Sequence, residues 1–299
     1  MIRVDDKILF LVNRSAGGRR CGTLQRLLEA IPTRYARAEI RVYDALKAPV
    51  FSPADYDCVV VCGGDGSVQA VAARMQGTQV PLGIVPLGSG NDLIKTLGLP
   101  SDPVQALEAL GAAGTRAMDV VRFSTGRSEP AQEQNRGIMV NTLGLGLDGL
   151  ASYETRRYRA FGGRLMYWLA VLRAARRQPR FTAQVTTEHR SGVMELWMLT
   201  LANGSTEGGH FRVAPQSVPW DGLIHVTAIR AMPRTALLLY LPWFISGRQE
   251  RLRRVVMFRC RCLTVQSSRP VRAHADGEDL GELSCLSANL QVGALHVLG

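Results

Sequence analysis

The chain lacks the paired spacing of a zinc site. Its six cysteines, Cys21, Cys58, Cys62, Cys260, Cys262 and Cys285, are scattered. No Cys-x-x-Cys or His-x-x-x-His pair accompanies them, so zinc is not expected. They read as reduced core residues of a cytosolic protein. Long apolar runs are also missing: the longest, Ala236 to Ile245, contains Pro242 and falls far short of a spanning helix. Charges fall within the first seven residues ahead of any apolar region, so no signal peptide is expected. The phosphate motif Gly-x-x-x-x-Gly-Lys-Ser/Thr is absent, which excludes a P-loop protein. Acidic residues are the minority, 25 against 36 lysines and arginines, for a net charge of +11. That excess favours nucleotides, acidic lipid surfaces or nucleic acid as partners. No nucleic-acid recognition module is visible, so nucleic acid is not expected. The expectation is a cytoplasmic protein that at most touches a membrane.

What is present suits a globular protein. The 299 residues are 46% hydrophobic and 20% charged, enough for one large or two medium domains. Strand and helix patterns alternate over the first 120 residues. Strands are expected at Lys7 to Val12, Glu39 to Tyr43, Cys58 to Cys62 and Pro81 to Pro86, and helices near Thr23 to Ala30, after Ser67, and from Pro103 behind an Asp102 cap. This alternation predicts an α/β N-terminal domain with a doubly wound parallel sheet. After Asp119 the pattern changes. Thr125 to Arg136 reads as a polar loop. Strands then dominate: Gly137–Thr142, Phe181–Glu188, Glu195–Ala202, Leu223–Arg230, Val255–Val265, Val271–Ala275 and Leu290–Leu298. Helices are expected at Arg164 to Arg177 and Arg234 to Gly247. The second half therefore reads as a mostly antiparallel β-rich domain. The boundaries are 1–122 for a nucleotide-binding domain and 123–287 for a lipid-substrate domain, with the strand of about 288–299 returning to the first.

Three small-residue loops, at Asn13, Gly63 and Pro86, fall at the C-terminal ends of expected parallel strands. That is the edge of an open α/β sheet where ligands bind. The strand Cys58 to Cys62 runs into Gly63-Gly64-Asp65-Gly66-Ser67 and a helix, a geometry that aims backbone N–H groups at phosphate. Asp65 inside such a trap makes sense if the site also handles a cation or a hydroxyl. Gly144-Leu145-Gly146-Leu147-Asp148-Gly149 matches Gly-x-Gly-x-x-Gly, but no βαβ unit surrounds it. It reads as a hinge or lid loop between the halves, with Asp148 as turn chemistry. Asp276-Gly277-Glu278 follows an alternating strand and puts two carboxylates on one tight turn, a pair able to deprotonate a hydroxyl.

Gly63-Gly64-Asp65-Gly66-Ser67, Pro86-Leu87-Gly88-Ser89-Gly90-Asn91-Asp92 and Asp276-Gly277-Glu278 resemble the signatures of the diacylglycerol kinase catalytic superfamily. Bacterial soluble lipid kinases and sphingosine kinases belong to it. Asn13 to Gly17, Met118-Asp119-Val120, Asn141 to Asp148 and Gly208 through Leu223 also match in order. The resemblance spans nearly the whole chain. It implies a NAD kinase/diacylglycerol kinase-like fold and an ATP- and Mg2+-dependent kinase acting on a lipid hydroxyl, diacylglycerol or a related acylglycerol or sphingoid lipid. ATP would lie across Asn13, Arg14, Ser15, Ala16 and Gly17, across Gly63, Gly64, Asp65, Gly66, Ser67, Val68 and Gln69, and at Ser89. Asp65 would act at the phosphate end, Glu278 as general base and Asp276 as its neighbour. Asp92, Asp119 and Asp221 would support magnesium, and Val218 and Leu223 would add backbone oxygens beside Asp221 at a structural metal, a hard-oxygen set that suits magnesium. Arg14 and Ala16 replace the usual proline and serine of the first loop, and Gln69-Ala70 replaces the usual Asn-Glu. No acidic residue of the set is lost, so an active enzyme is expected. NAD kinase, which shares the Gly-Gly-Asp-Gly loop, and a non-catalytic nucleotide or lipid sensor are the alternatives.

Arginines at 156, 157, 159, 164, 173, 176 and 177 lie among Phe161, Met166, Tyr167 and Trp168. Arg248, Arg251, Arg253 and Arg254 follow the apolar Leu237 to Ile245. Both segments suit either an anionic membrane surface or an ordinary solvated helix face. A lipid substrate at a membrane surface is the expected partner, and a homodimer is compatible with the sequence.

Overall fold

A computed structural model of the chain describes residues 3, 5–16, 21–44, 50–126, 133–161, 163–177, 179–209 and 211–299. The chain divides into two compact units, Met1–Asp119 with Val292–Gly299, and Val120–Gln291. The first contains β1 (Ile8–Asn13), α1 (Cys21–Arg34), β2 (Ala38–Tyr43), β3 (Cys58–Gly63), α2 (Asp65–Met75), β4 (Leu82–Pro86), α3 (Asp92–Leu97), α4 (Pro103–Leu110) and the start of β5 (Thr115–Gly126). The second contains the rest of β5, β6 (Glu133–Met139), β7 (Thr142–Gly146), α5 (Leu147–Glu154), α6 (Gly163–Arg177), β8 (Phe181–Thr187), β9 (Ser191–Ala202), β10 (Ile224–Arg230), α7 (Arg234–Ser246), β11 (Val255–Cys260), β12 (Cys262–Ala275) and most of β13 (Glu278–Leu298).

In the first unit the strands run parallel in the order β2-β1-β3-β4, and Val297 near the end of β13 pairs with Leu82. Every residue of β1, β3 and β4 is buried. Continuous apolar runs such as Ile8–Val12 and Cys58–Cys62 are what a sheet covered on both faces demands. Helix α4 starts where the sequence places it: Pro103 occupies the first turn and the Asp102 side chain accepts from the Val104 and Gln105 N–H groups.

Among the described residues the strands of the second unit pair antiparallel, in the order β11-β10-β9-β7-β12-β13, with β8 pairing both β12 and β9. Its inward residues form one apolar cluster that includes Leu145, Leu199, Val226, Val265 and Leu286. Helices α5, α6 and α7 pack on a second cluster around Trp197, Phe211 and Phe244.

Four expectations are corrected. Gly144–Gly149 is neither hinge nor lid: it is the end of β7 turning into α5, inside the second unit. A Cβ on Gly149 would fall 2.2 Å from the Arg272 carbonyl oxygen, so the helix start presses directly on β12. Thr125 to Arg136 is not a loop throughout, because β5 extends to Gly126 and β6 begins at Glu133, the two pairing antiparallel; 127–132 lie outside the described residues. The expected strand Gly137–Thr142 is interrupted at Val140 and Asn141, whose N–H groups bond to Asp276 instead of a neighbouring strand. The expected strand Val255–Val265 breaks at Arg261, where the Glu188 carboxylate accepts from the Arg261 and Cys262 N–H groups. Cys58, Cys62 and Cys260 are buried, and no disulfide joins the described cysteine side chains; the Cys21 side chain lies outside the described residues.

Candidate active site

In the first unit, three loops meet at the C-terminal edge of the parallel sheet. The Asn13 side chain ends β1 and joins two of them: its Nδ2 donates to Ser67 Oγ at 2.8 Å while its Oδ1 accepts from the Ser15 N–H at 2.9 Å. The Leu87 N–H donates to the Gly63 carbonyl at 2.8 Å, and a Cβ on Gly88 would fall 2.5 Å from the Gly64 Cα. The loop after β4 can approach the loop after β3 this closely only because both residues are glycine. Helix α2 begins there, at Gly64, with no side chain capping its first N–H groups. Its N-terminal N–H groups are therefore available to an anion.

The expected nucleotide residues are placed as follows. Asn13, Gly63, Gly64, Ser67 and Gln69 line these contacts as buried or half-buried residues, Gly66 and Ser89 are exposed, and Val68 turns its side chain into the core. Arg14 grips Asp44 through two contacts of 2.6 Å, joined by Ser15 Oγ at 3.1 Å. Ala16 N–H bonds back to the Asn13 carbonyl. Gly17 lies outside the described residues.

Asp65 sits in the first turn of α2, half-buried. Its Oδ1 accepts from the Asp92 N–H at 2.8 Å and the Leu93 N–H at 3.4 Å, so it pins the start of α3. A Cβ on Gly90 would lie 2.8 Å from Asp65 Oδ2 and 3.5 Å from Asp92 Oδ2, so both carboxylates border one small space. Desolvation, and then the Asp92 charge, push the Asp65 carboxyl up to about 6 despite the N–H donors. Lys95 Nζ lies 2.7 Å from the Gly90 carbonyl and 3.3 Å from Asp92 Oδ1. Asp119 is buried on β5 and accepts from the Gly293 N–H at 2.8 Å.

The remaining expected site residues belong to the second unit. Asp221 lies in the turn before β10: its N–H donates to the Val218 carbonyl, its Oδ1 accepts from the Leu223 N–H at 3.0 Å, and its Oδ2 lies 2.8 Å from His225 Nε2. Asp221, Val218 and Leu223 are thus brought together, while Asp92 and Asp119 belong to the first unit. In the turn between β12 and β13, Asp276 and Glu278 diverge. Asp276 is buried, and its two oxygens accept from the Val140, Asn141 and Thr142 N–H groups at 2.8, 2.8 and 3.0 Å. Burial pushes its carboxyl up to about 6, against those donors. Glu278 is exposed.

Behind this turn lies a cluster absent from the sequence reading. His274 on β12 faces Gly144 on β7, which faces Thr200 on β9. Residues directly opposite one another share a face of the sheet, and on this one they meet Asp148 from α5 and Glu207. His274 Nε2 lies 2.9 Å from Glu207 Oε1 and 3.6 Å from Asp148 Oδ2, Thr200 Oγ1 donates to Asp148, and all four side chains are buried. A Cβ at Gly144 would clash with both Asp148 and His274. Asp148 is therefore a buried partner and not the turn residue expected of an Asp-Gly pair. The Gly277 N–H lies 3.3 Å from His274 Nδ1, and His274 Nε2 faces the two carboxylates. Burial and then Asp148 push the Glu207 carboxyl up to about 7. Burial opposes charge on His274, but Glu207 and Asp148 outweigh it and hold its pKa well above the ordinary value. Asp148, Glu207 and His274 are the one group of metal-ligand type among the described residues. The only sequence sign of this cluster is a histidine in an apolar strand two residues before the Asp276 turn.

Asp148 also borders a cavity. Its walls are otherwise apolar or aromatic, among them Tyr167, Met198, Phe211, Leu241 and Phe244. Asp148 is the one charged residue on that lining.

The chain thus joins an α/β unit with three small-residue loops at its sheet edge to a β-rich unit with an apolar chamber. Comparison with known proteins narrows this. The diacylglycerol kinase catalytic domain matches residues 7–123, and the YegS C-terminal NAD kinase beta sandwich-like domain matches residues 141–299. The chain belongs to the diacylglycerol kinase and YegS-like lipid kinase family. It is 30% identical over 242 residues to the diacylglycerol kinase of Mycobacterium tuberculosis H37Rv, covering 79% of this chain and 76% of that one. A protein of Xanthomonas campestris pv. campestris named "Probable lipid kinase YegS-like" is 27% identical over 245 residues, covering 78% and 77%. Among solved structures, a diacylglycerol kinase from Bacillus anthracis str. Sterne superposes with a TM-score of 0.77 at 19% identity, covering 98% of this chain and 96% of that one. Yeast NADH kinase complexed with NADH gives 0.61 at 12%, covering 98% and 83%. Both likenesses concern the fold alone.

Proposed function

We propose that this chain is an ATP- and magnesium-dependent lipid kinase that transfers the γ-phosphate to a lipid hydroxyl, with diacylglycerol or a related acylglycerol or sphingoid lipid as acceptor. The observation that carries the reading is the meeting of three loops at one sheet edge, with Asp65 held beside Asp92 and the start of α2 uncapped. The α/β unit is read as doubly wound. From β1 the chain steps to β2 on one side and, through β3, to β4 on the other. Right-handed crossovers in opposite directions put α1 and α2 on opposite faces, with Asn13 and Gly63 at the point of reversal.

In this reading the N–H groups at the start of α2, with Asn13 and Ser67, receive the nucleotide phosphates. Asp65 is the acidic group at the phosphate end. Desolvation and then the Asp92 charge raise its carboxyl, and a cation beside the pair would offset both. The Asp221 carboxylate with the Val218 and Leu223 backbone supplies hard oxygen donors of the kind magnesium takes. Bound magnesium would neutralise charge on the transferred phosphate. Glu278, exposed and so free to meet a substrate, takes the proton from the lipid hydroxyl. Asp276 acts through the backbone, holding the Glu278 turn against Val140–Thr142. The apolar cavity holds the lipid tail. The protein is placed in the cytoplasm, meeting its substrate at the membrane face.

The test is radiolabelled ATP and Mg2+ with a panel of diacylglycerol, monoacylglycerol, ceramide, sphingoid base, phosphatidylglycerol and NAD. Label in a lipid, strongest for an acylglycerol or sphingoid base, is expected. Label in NAD alone, or in nothing while ATP still binds, overturns the reading.

A further inference from the structure

Helix α7 is apolar on two faces. Leu237, Leu241 and Phe244 are buried against the second unit, and the same inner face lines the apolar cavity. The opposite face carries Leu238, Leu239, Trp243 and Ile245, all exposed, Leu239 at 72%. Among the described residues these are four of the ten exposed large hydrophobic side chains, gathered on one thirteen-residue helix. No charge interrupts the helix between Arg234 at its start and Arg248 beyond its end. Exposed arginines frame it: Arg234, then Arg248, Arg251, Arg253 and Arg254, with Glu250 the one acid among them. A soluble surface does not ordinarily leave such a patch open.

We infer that the outer face of α7 docks on an anionic lipid bilayer, lying in the headgroup layer beside the cavity that receives the acyl chain; the choice of a lipid surface rests on the lipid-kinase reading. The arginine frame selects this occupant. A second copy of the chain packed two-fold on the same face would bring two arginine frames together, whereas acidic headgroups attract them. Depth follows from the sequence. The helix is too short to cross a bilayer, and among the described residues no helix is long and apolar enough to do so. Pro242 has no N–H to give the Leu238 carbonyl, so the regular helical bond is missing there, which disfavours deep burial of the helix in hydrocarbon. An apolar face, a basic border and a shallow position are the attributes of an interfacial helix. Because the inner face walls the cavity, docking α7 brings the hydrocarbon layer to the wall of the lipid pocket.

The experiment is co-sedimentation of the full chain with phosphatidylcholine vesicles, with and without phosphatidylglycerol. Wild type is compared with Leu239→Glu on the exposed face and with Val193→Glu, an equally exposed position on β9. Wild type and Val193→Glu are expected to bind the anionic vesicles, less so at high salt, and Leu239→Glu to bind on the order of tenfold more weakly. Equal binding by Leu239→Glu, equal loss in Val193→Glu, or no preference for anionic vesicles overturns the inference. So does a dimer in sedimentation velocity that Leu239→Glu abolishes, since the face would then be occupied by protein. Binding needs no turnover, so the two readings fail separately. Vesicle binding without phosphorylation of any lipid removes the kinase and leaves the surface. Phosphorylation of detergent-dispersed lipid without vesicle binding does the reverse.

Discussion

Asp65 in the first unit and Asp276 in the second solve the same local problem to different ends. Each follows a buried strand, each captures backbone N–H groups from a distant segment, and each has its carboxyl pushed up to about 6. Asp276 is enclosed: three N–H groups occupy its two oxygens. Asp65 stands half-buried at an open sheet edge, takes the Asp92 and Leu93 N–H groups on its Oδ1, and faces Asp92 across the space beside Gly90. Hydrogen-bonding chemistry alone therefore does not separate a staple from the working carboxylate proposed at Asp65. What separates them is an open side and a neighbouring carboxylate, Asp92, which Lys95 reaches at 3.3 Å.

Substitution breaks the comparison in order of size. Asp65→Asn keeps an oxygen for the Asp92 N–H but removes the charge; phosphoryl transfer is expected to fall by at least about 10³-fold with the fold intact, read by labelled lipid product alongside circular dichroism. Glu278→Gln is expected to slow transfer by about 10²-fold or more with nucleotide binding and thermal midpoint unchanged, since Glu278 is exposed and is the base proposed above. A wild-type rate in either variant removes that residue from the chemistry. Asp276→Ala leaves three buried N–H groups without an acceptor and is expected to cost about 3 kcal/mol in urea denaturation. An unchanged midpoint there would show that water replaces the carboxylate.

The smallest effect is on pH dependence. The Asp65 pKa is raised in the folded chain from 3.8 to about 6, so between these values the folded state holds the proton more tightly than the unfolded one. The stability it contributes is full below about pH 4 and is lost as pH rises through about 6. Asp65→Asn should therefore gain on wild type by on the order of 1–2 kcal/mol between those limits. A difference that stays flat with pH, measured by thermal midpoints, would mean that Asp65 is not strained.

The first unit was legible because its signals are local. A buried parallel strand requires an unbroken apolar run, as in Ile8–Val12 and Cys58–Cys62, and the loops that follow must be small to approach one another, as Gly64 and Gly88 do. The second unit was legible strand by strand but not in its interior. The Gly144–Gly149 run looks like a flexible loop in one dimension, yet its glycines are there to let α5 and the His274 side chain come close. Asp148 and Glu207 lie 126 and 67 positions before His274, and no periodicity links them. The Val140–Asn141 interruption is equally silent, because its cause, the Asp276 carboxylate, arrives from the far end of the chain.

By itself the sequence determined the parallel strands, the three small-residue loops and the family, since each rests on residues that are neighbours along the chain and whose backbone geometry is set locally. Only the tertiary structure decided that Asp276 is a backbone staple, that Asp148 belongs to a buried cluster with His274 and Glu207, and that α7 keeps one apolar face open. Those are facts of burial and of contact between residues far apart in sequence. Whether a carboxylate or a leucine is enclosed depends on which surfaces the fold brings against it, and no stretch of chain specifies that alone.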